Sequence, residues 1–241
     1  MEPRLSSRIR DRYQIVLRNI AEATARAGRG PGTVKLVVVT KSQPLEVVRE
    51  AIEAGASILG ENYAEEAVTK ISAFCETKVE WHMIGHVQSR KAEPVATYFS
   101  TLHSLDSVKL ARRINQKCQE MDRMLPVLLE INVSGESSKY GFPGWDANRW
   151  SNLVADFRQI SEFHHLHIHG LMTMPPIFDN TEEVRPYFQK LYKLQGFLKE
   201  RIPHVDWTEL SMGTSMDYMT AIEEGATFVR IGEAILGPRP L

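Results

Sequence analysis

One lysine sets the chemistry within reach of this chain. Lys41 closes the run Val34-Lys35-Leu36-Val37-Val38-Val39-Thr40, whose consecutive apolar residues read as a strand buried on both faces. At the end of such a strand, desolvation lowers the pKa of an amine and makes it nucleophilic. An ordinary exposed loop lysine would have the same local sequence. Two further stretches hold groups suited to an anion. Ser211-Met212-Gly213-Thr214-Ser215-Met216-Asp217 brings hydroxyls and a glycine to a helix start, and Gly232-Glu233-Ala234 repeats the glycine after the next strand. Helix capping by Thr214 and Asp217 is the competing reading of the first stretch. Arg230, on the last apolar run, adds a permanent cation, unless it pairs with Glu233 or lies against a helix.

These groups must be carried by something. From Val34 onward the chain alternates. Strand-like runs occur at 34–40, 56–60, 79–84, 98–103, 125–133, 166–173, 207–211 and 227–231. Helical patterns lie between them at 44–54, 62–75, 87–96, 106–121, 146–163, 181–201 and 215–224. No hairpin signal joins neighbouring strands, so the strands pair in parallel through crossovers. Eight such units predict a single-domain (β/α)8 TIM barrel over residues 1–241. An open doubly wound sheet would show a glycine-rich turn after its first strand, where this chain has Thr40-Lys41-Ser42-Gln43. Ahead of the barrel, Leu5 to Ala27 form an extra N-terminal helix (within 1–28). Leu5, Ile9, Tyr13, Val16, Leu17 and Ile20 share one face, and Gly28-Arg29-Gly30-Pro31-Gly32 stops it.

In a barrel, chemistry belongs at the carboxyl ends of the strands, and the loops after strands seven and eight frequently hold phosphate. That end gathers Lys41, Glu61-Asn62, Gly85-His86, Ser104 to Asp106, Asn132, Thr173-Met174, Ser211-Met212-Gly213 and Arg230-Ile231-Gly232. A lysine, an arginine and an anion cradle together would surround a phosphorylated ring bearing an aldehyde, which an amine captures as a Schiff base. Pyridoxal 5′-phosphate has this requirement set.

Composition narrows the alternatives. A net charge of −1 in 241 residues gives no electrostatic case for nucleic acid or an anionic membrane. No apolar run approaches the ~18 residues of a membrane span, and no secretory leader is evident. Cys75 and Cys118 lack CxxC partners and read as reduced thiols of a cytoplasmic protein. His165, His167 and His169 share a strand face but stand too far apart to close on one metal, so no metal site is expected. His82 reads as a hydrogen-bonded barrel residue, and Trp145, Trp150 and Trp207 as packing or surface anchors. A monomer is expected.

Over nearly its whole length the chain resembles the YggS/PROSC family of pyridoxal-phosphate-binding proteins. The matching blocks are Val39-Thr40-Lys41, Gly60-Glu61-Asn62-Tyr63, Trp81-His82-Met83-Ile84-Gly85, and Asn132 with Glu136, Lys139, Gly141 and Phe142. They continue in Gly170-Leu171-Met172-Thr173-Met174, Leu210-Ser211-Met212-Gly213 with Ser215 and Asp217, and Val229-Arg230-Ile231-Gly232. The family resembles the barrel domain of alanine racemase. By that resemblance Lys41 holds the cofactor as a Schiff base, and Ser211, Gly213, Gly232 and Glu233 hold its phosphate, with Met212 in the same loop. Arg230 faces the pyridine nitrogen and, as a fixed cation, disfavours its protonation. Asn62 and Met83 lie near the ring, and Met172 and Met174 near its edge. One departure is Gln88-Ser89-Arg90-Lys91, which lacks the asparagine usual before that lysine.

The resemblance implies intracellular cofactor homeostasis: storage, buffering or delivery of pyridoxal phosphate, with transient PLP-dependent client enzymes as partners. No residue is assigned a catalytic role. The alternative is a low-activity amino-acid racemase, which would need a second acid/base; in two-domain relatives a tyrosine from the other domain supplies it. Tyr63, Tyr140 and Tyr218 are the tyrosines near the expected mouth, and Lys139 is a candidate second amine for cofactor exchange. A barrel for another phosphorylated metabolite is the third reading.

Overall fold

The valine-rich run forms β1 (Lys35–Val39), buried on both faces because Val37 packs in the barrel interior and Val38 in the core shared with the helices, and paired on both edges, with β2 (Ile58–Glu61) and with β9 (Phe228–Ile231). Parallel pairing continues through β3 (Glu80–Met83), β4 (Thr101–Leu105), β5 (Leu125–Asn132), β7 (Leu166–Met172) and β8 (Glu209–Ser211). The β1–β9 and β4–β5 pairings close these eight strands into a ring. A two-residue strand, β6 (Phe142–Pro143), adds to the exit of β5 outside that ring and had no signal in the sequence. The computed structural model describes residues 5–238. Residues 1–4 and 239–241, at the ends of the expected domain, and the Leu5 side chain lie outside the described residues.

The helices of the outer layer are α2 (Leu45–Glu53), α3 (Ala64–Ala73), α4 (Ala92–Tyr98), α5 (Val108–Glu120), α6 (Ser151–Ser161), α7 (Arg185–Arg201), α8 (Tyr218–Glu223) and α9 (Glu233–Leu236). Several begin later than periodicity implies, and the reasons are local. Pro94 is tolerated only in a first turn, so the helix expected at 87–96 starts at Ala92, after a 3₁₀ turn at Ser89–Lys91, and runs to Tyr98. That moves the fourth strand from 98–103 to 101–105. Pro186 likewise fixes the start of α7 at Arg185 rather than 181.

α1 (Leu5–Arg26) is the extra helix, and it packs on α2, α8 and α9. Ile9, Tyr13, Val16 and Ile20 are buried as their spacing predicts. Polar contacts fix its placement: Tyr13 donates to the Gly55 carbonyl at 2.9 Å, and Asn19 donates to the Tyr218 hydroxyl at 2.9 Å. Among the described residues no helix is long and apolar enough to cross a membrane. Cys75 is exposed and Cys118 buried, and both are free thiols.

Strand alternation decides which residues reach the barrel interior. Val38, Trp81, Met83, Val229 and Ile231 join the core shared with the helices. Val37, Leu128, Met172 and Phe228 form a separate apolar layer inside the ring. The polar residues of the site stand above that layer.

Candidate functional site

At the carboxyl ends of the strands a cavity of about 730 Å³ opens, and Lys41, Asn62, Met174, Arg230, Gly232 and Glu233 all line it. Lys41 reaches it because Val37, Val39 and Lys41 share the inward face of β1 and its exit, and Val39 is itself a wall residue. The turn carrying Lys41 is held from both sides. Gln43 N–H donates to the Thr40 carbonyl at 3.1 Å, while Ser42 adopts a left-handed backbone (φ 57°) and donates its N–H to Glu66 at 2.7 Å. Beneath the turn, buried Lys70 donates to the Thr40 carbonyl (2.7 Å), to Glu61 (2.9 Å) and to Glu66 (2.6 Å). Thr40 Oγ1 donates to the same Glu61 oxygen at 2.6 Å. Burial raises the Glu61 carboxyl above its ordinary range, and the Lys70 and Thr40 hydrogen bonds oppose that rise.

Arg230 forms part of the floor. It is 4% exposed and makes three donations: Nη1 to Ser211 Oγ (2.6 Å), and Nη2 to the Thr173 carbonyl (2.9 Å) and Met174 Sδ (2.9 Å). Burial lowers its pKa to about 10, so it stays charged at neutral pH. Glu233 is not among its hydrogen-bond partners. Next to Arg230 in the wall is a carboxyl that the sequence reading passed over. Glu130 is buried, its Oε2 has no hydrogen-bond partner among the described residues, and burial lifts it to about 7. Its signal was a lone charge within Leu125-Pro126-Val127-Leu128-Leu129-Glu130-Ile131.

The expected anion cradle is present in a modified form. Thr214, Ser215 and Asp217 line the cavity beside Gly232. Thr214 and Asp217 make the capping-box contact that the sequence offered, one turn ahead of α8, and Asp217, at the N-cap position of that helix, makes no side-chain bond to it. Its carboxylate turns back to accept from Thr214 N (2.6 Å) and Thr214 Oγ1 (3.0 Å), which shapes the loop and delays the helix from 215 to Tyr218. Ser215 Oγ accepts from Ala234 N at 3.3 Å and joins the two glycine-bearing turns. A Cβ at Gly232 would come within 3.1 Å of the Val39 carbonyl, so a bare glycine lets that turn close on β1.

Five expected site residues do not line the cavity. Met83 and Met212 have the wrong strand parity and pack outward into the helix-facing core. Met172 faces inward but one layer too deep, among Val37, Leu128 and Phe228. Ser211 is fully buried under Arg230 and meets the cavity only through it. Gly213, at φ 93°, packs against Ala221 and Tyr218, and its carbonyl accepts from Arg230 N. Of the three tyrosines, Tyr63 and Tyr140 line the cavity, whereas Tyr218 is buried against α1.

Opposite Lys41, Asn132 organises the loop after β5. Its Oδ1 accepts from Gly135 N (2.9 Å) and its Nδ2 donates to the Glu136 carbonyl (2.9 Å). The loop presents Lys139, whose Nζ lies 3.4 Å from the Pro175 carbonyl, and Tyr140, which stacks on His86 at 3.6 Å. His86 Nδ1 in turn pairs with Asp106 at 2.9 Å. Two amines, a buried guanidinium and a hydroxyl-bearing wall thus enclose a space suited to an anionic ring with an electrophilic carbonyl.

The histidine cluster at 164–169 is not part of this site. His167 is exposed and faces Asp206 at 3.8 Å, and its ring packs on His169.

Residues 13–240 match the family model for the alanine racemase N-terminal domain. A pyridoxal phosphate homeostasis protein of Aquifex aeolicus is 39% identical, with 95% of this chain and 97% of that protein covered. PipY of Synechococcus elongatus, solved with PLP bound, is 32% identical with a TM-score of 0.78, covering 90% of this chain and all of that one. Alanine racemase of Streptomyces coelicolor shares the fold alone, at 16% identity and a TM-score of 0.73, over 95% of this chain and 58% of the racemase. With a closed parallel barrel and these relatives in hand, the chain belongs to the pyridoxal phosphate homeostasis protein family, one built on the alanine racemase N-terminal domain.

Proposed function

We propose that this protein binds pyridoxal 5′-phosphate reversibly through Lys41 and serves to store, buffer or deliver it. The observation that carries the reading is the convergence of the Lys41 amine and the Arg230 guanidinium on one cavity whose wall includes Thr214, Ser215 and Gly232. The donor set fits the group: an amine for the aldehyde, hydroxyls and a bare-glycine turn for the phosphate, and a fixed donor for the ring nitrogen. The bound cofactor supplies an aldehyde that an amine captures and a ring that delocalises charge. Arg230, with Glu130 beside it, sets the field on that ring, and a permanent cation there keeps the pyridine nitrogen unprotonated. Carbanion chemistry is then poorly assisted, which suits a carrier.

The location proposed is the cytoplasm, the state a monomer, and the partners transient PLP-dependent enzymes that meet the rim, where Tyr63, Ile177 and Met216 are exposed. The purified protein is expected to absorb in the visible, with a spectrum that borohydride alters, and Lys41→Ala is expected to be colourless. A colourless wild type after incubation with the cofactor overturns the proposal. Tyr63 and Tyr140 on the cavity wall favour low amino-acid racemase activity as the second reading. Exchange of an amino acid's α-hydrogen in deuterated water detects it.

A further inference from the structure

The floor of the cavity is connected to the opposite mouth of the barrel. Ser211 Oγ, which accepts from Arg230 Nη1 at 2.6 Å, lies 2.8 Å from His103 Nδ1. His103 Nε2 lies 2.9 Å from His82 Nδ1, and His82 Nε2 lies 3.3 Å from Glu80 Oε2. β4 and β8 are not neighbours in the ring, so the His103–Ser211 contact crosses the barrel interior. Both histidines and Ser211 are at most 1% exposed, whereas the Glu80 side chain, at the start of β3, is 61% exposed.

The direction of this chain follows from its ends. A guanidinium only donates and a carboxylate only accepts. Glu80 therefore takes the proton on His82 Nε2. A neutral imidazole has one N–H, so His82 Nδ1 accepts from His103 Nε2, and His103 Nδ1 accepts from the Ser211 hydroxyl. The Ser211 lone pairs are then left for Arg230. Four hydrogen bonds share one polarity, and the side-chain polar atoms of both histidines and Ser211 are satisfied.

The surroundings of both imidazoles favour the neutral form. Burial lowers both pKa values, most strongly for His103, where His82, Arg230 and Lys35 add to the effect. At His82, Lys35 adds while Glu80 and Glu209 oppose. The Phe228 ring packs edge-on against both.

We propose that His82, His103 and Ser211 are positioning residues, a one-way hydrogen-bond wire that locks Arg230 as a donor at the cavity floor and ties it to Glu80 at the far mouth. A proton added at His82 gives that ring two donors. His103 must then accept through Nε2 and donate through Nδ1, and the Ser211 hydroxyl is released. The floor thereby responds to acid arriving at the far mouth.

The link to cofactor affinity rests on the proposed function, but the wire itself is testable without cofactor. Two-bond ¹H–¹⁵N spectra of the full chain, assigned with His82→Gln and His103→Gln, are expected to show both rings neutral at pH 7 with the proton on Nε2. An imidazolium, or an Nδ1–H tautomer of either ring, overturns the wire whether or not the cofactor binds.

In titrations with pyridoxal phosphate, Ser211→Ala is expected to bind about tenfold more weakly, as loss of a hydrogen bond to a charged group implies, and Ser211→Thr to restore binding. The acid limb of the binding profile should move to lower pH in Glu80→Ala, because losing that carboxylate makes His82 harder to protonate. Unchanged affinity in Ser211→Ala, or an unmoved acid limb in Glu80→Ala, removes the coupling. A wild type that does not bind the cofactor refutes the proposed function and leaves the spectra to judge the wire.

Discussion

At the scale of single residues, Glu130 ties the stability of the fold to pH near neutrality. Burial raises its carboxyl from the ordinary value to about 7, Asp106 adds to the rise, and Arg230 and Lys139 oppose it. A folded-state pKa above the unfolded one means the fold favours the protonated acid. That contribution is complete below the unfolded pKa and is lost as pH rises through about 7. Glu130→Gln is therefore expected to match wild type near pH 4–5 and to exceed it by up to about 3 kcal/mol at pH 8, read from urea midpoints. A difference independent of pH would show that the carboxyl already ionises freely in the folded protein. The same residue shows where reading the sequence stops. Lys41 and Arg230 were legible because each ends or occupies an apolar run at a barrel strand's exit. Glu130 and His103 sit inside such runs, and nothing one-dimensional says which partner a strand interior faces.

At the scale of elements, the turn after β1 is built by the neighbouring β2–α3 unit rather than by its own sequence. Lys70 on α3 reaches under the turn to the Thr40 carbonyl, and Glu66 holds Ser42. Lys70→Met would strand Glu61, which is fully buried, with its counter-ion gone. Breaking such a pair is expected to cost about 3–5 kcal/mol, with the Glu61→Gln/Lys70→Met double variant recovering much of it, again measured by urea unfolding. Equal losses in the single and double variants would mean that Lys70 acts by packing alone. The closed barrel and the parallel pairing of its strands were legible from the alternation of strand-like and helical runs. The starts of α4 and α7 were displaced by Pro94 and Pro186, and that of α8 by the Asp217–Thr214 contact, because capping and proline geometry override hydrophobic period. Met83, Met172 and Met212 were placed by motif resemblance, and strand parity and depth keep them off the cavity wall.

At the scale of the molecule, the site exists only when the barrel is closed. Lys41 follows β1 and Arg230 lies on β9, which pair along the seam in the register Val37 with Arg230. α1 spans that seam from outside, packing on α2 after β1 and on α8 and α9 around β9. Ile9 is fully buried there, so Ile9→Ala is expected to lower stability by about 2–5 kcal/mol. If α1 only clamps a seam that is already formed, the folded variant keeps its cavity and binds pyridoxal phosphate as wild type does. Cofactor at a hundred times its dissociation constant should then raise the stability of wild type and Ile9→Ala alike, by about 2.7 kcal/mol, and leave Lys41→Ala unmoved. Thermal melts with and without cofactor measure both quantities. A smaller shift in Ile9→Ala would mean that the helix also sets the distance between the lysine and the arginine across the seam.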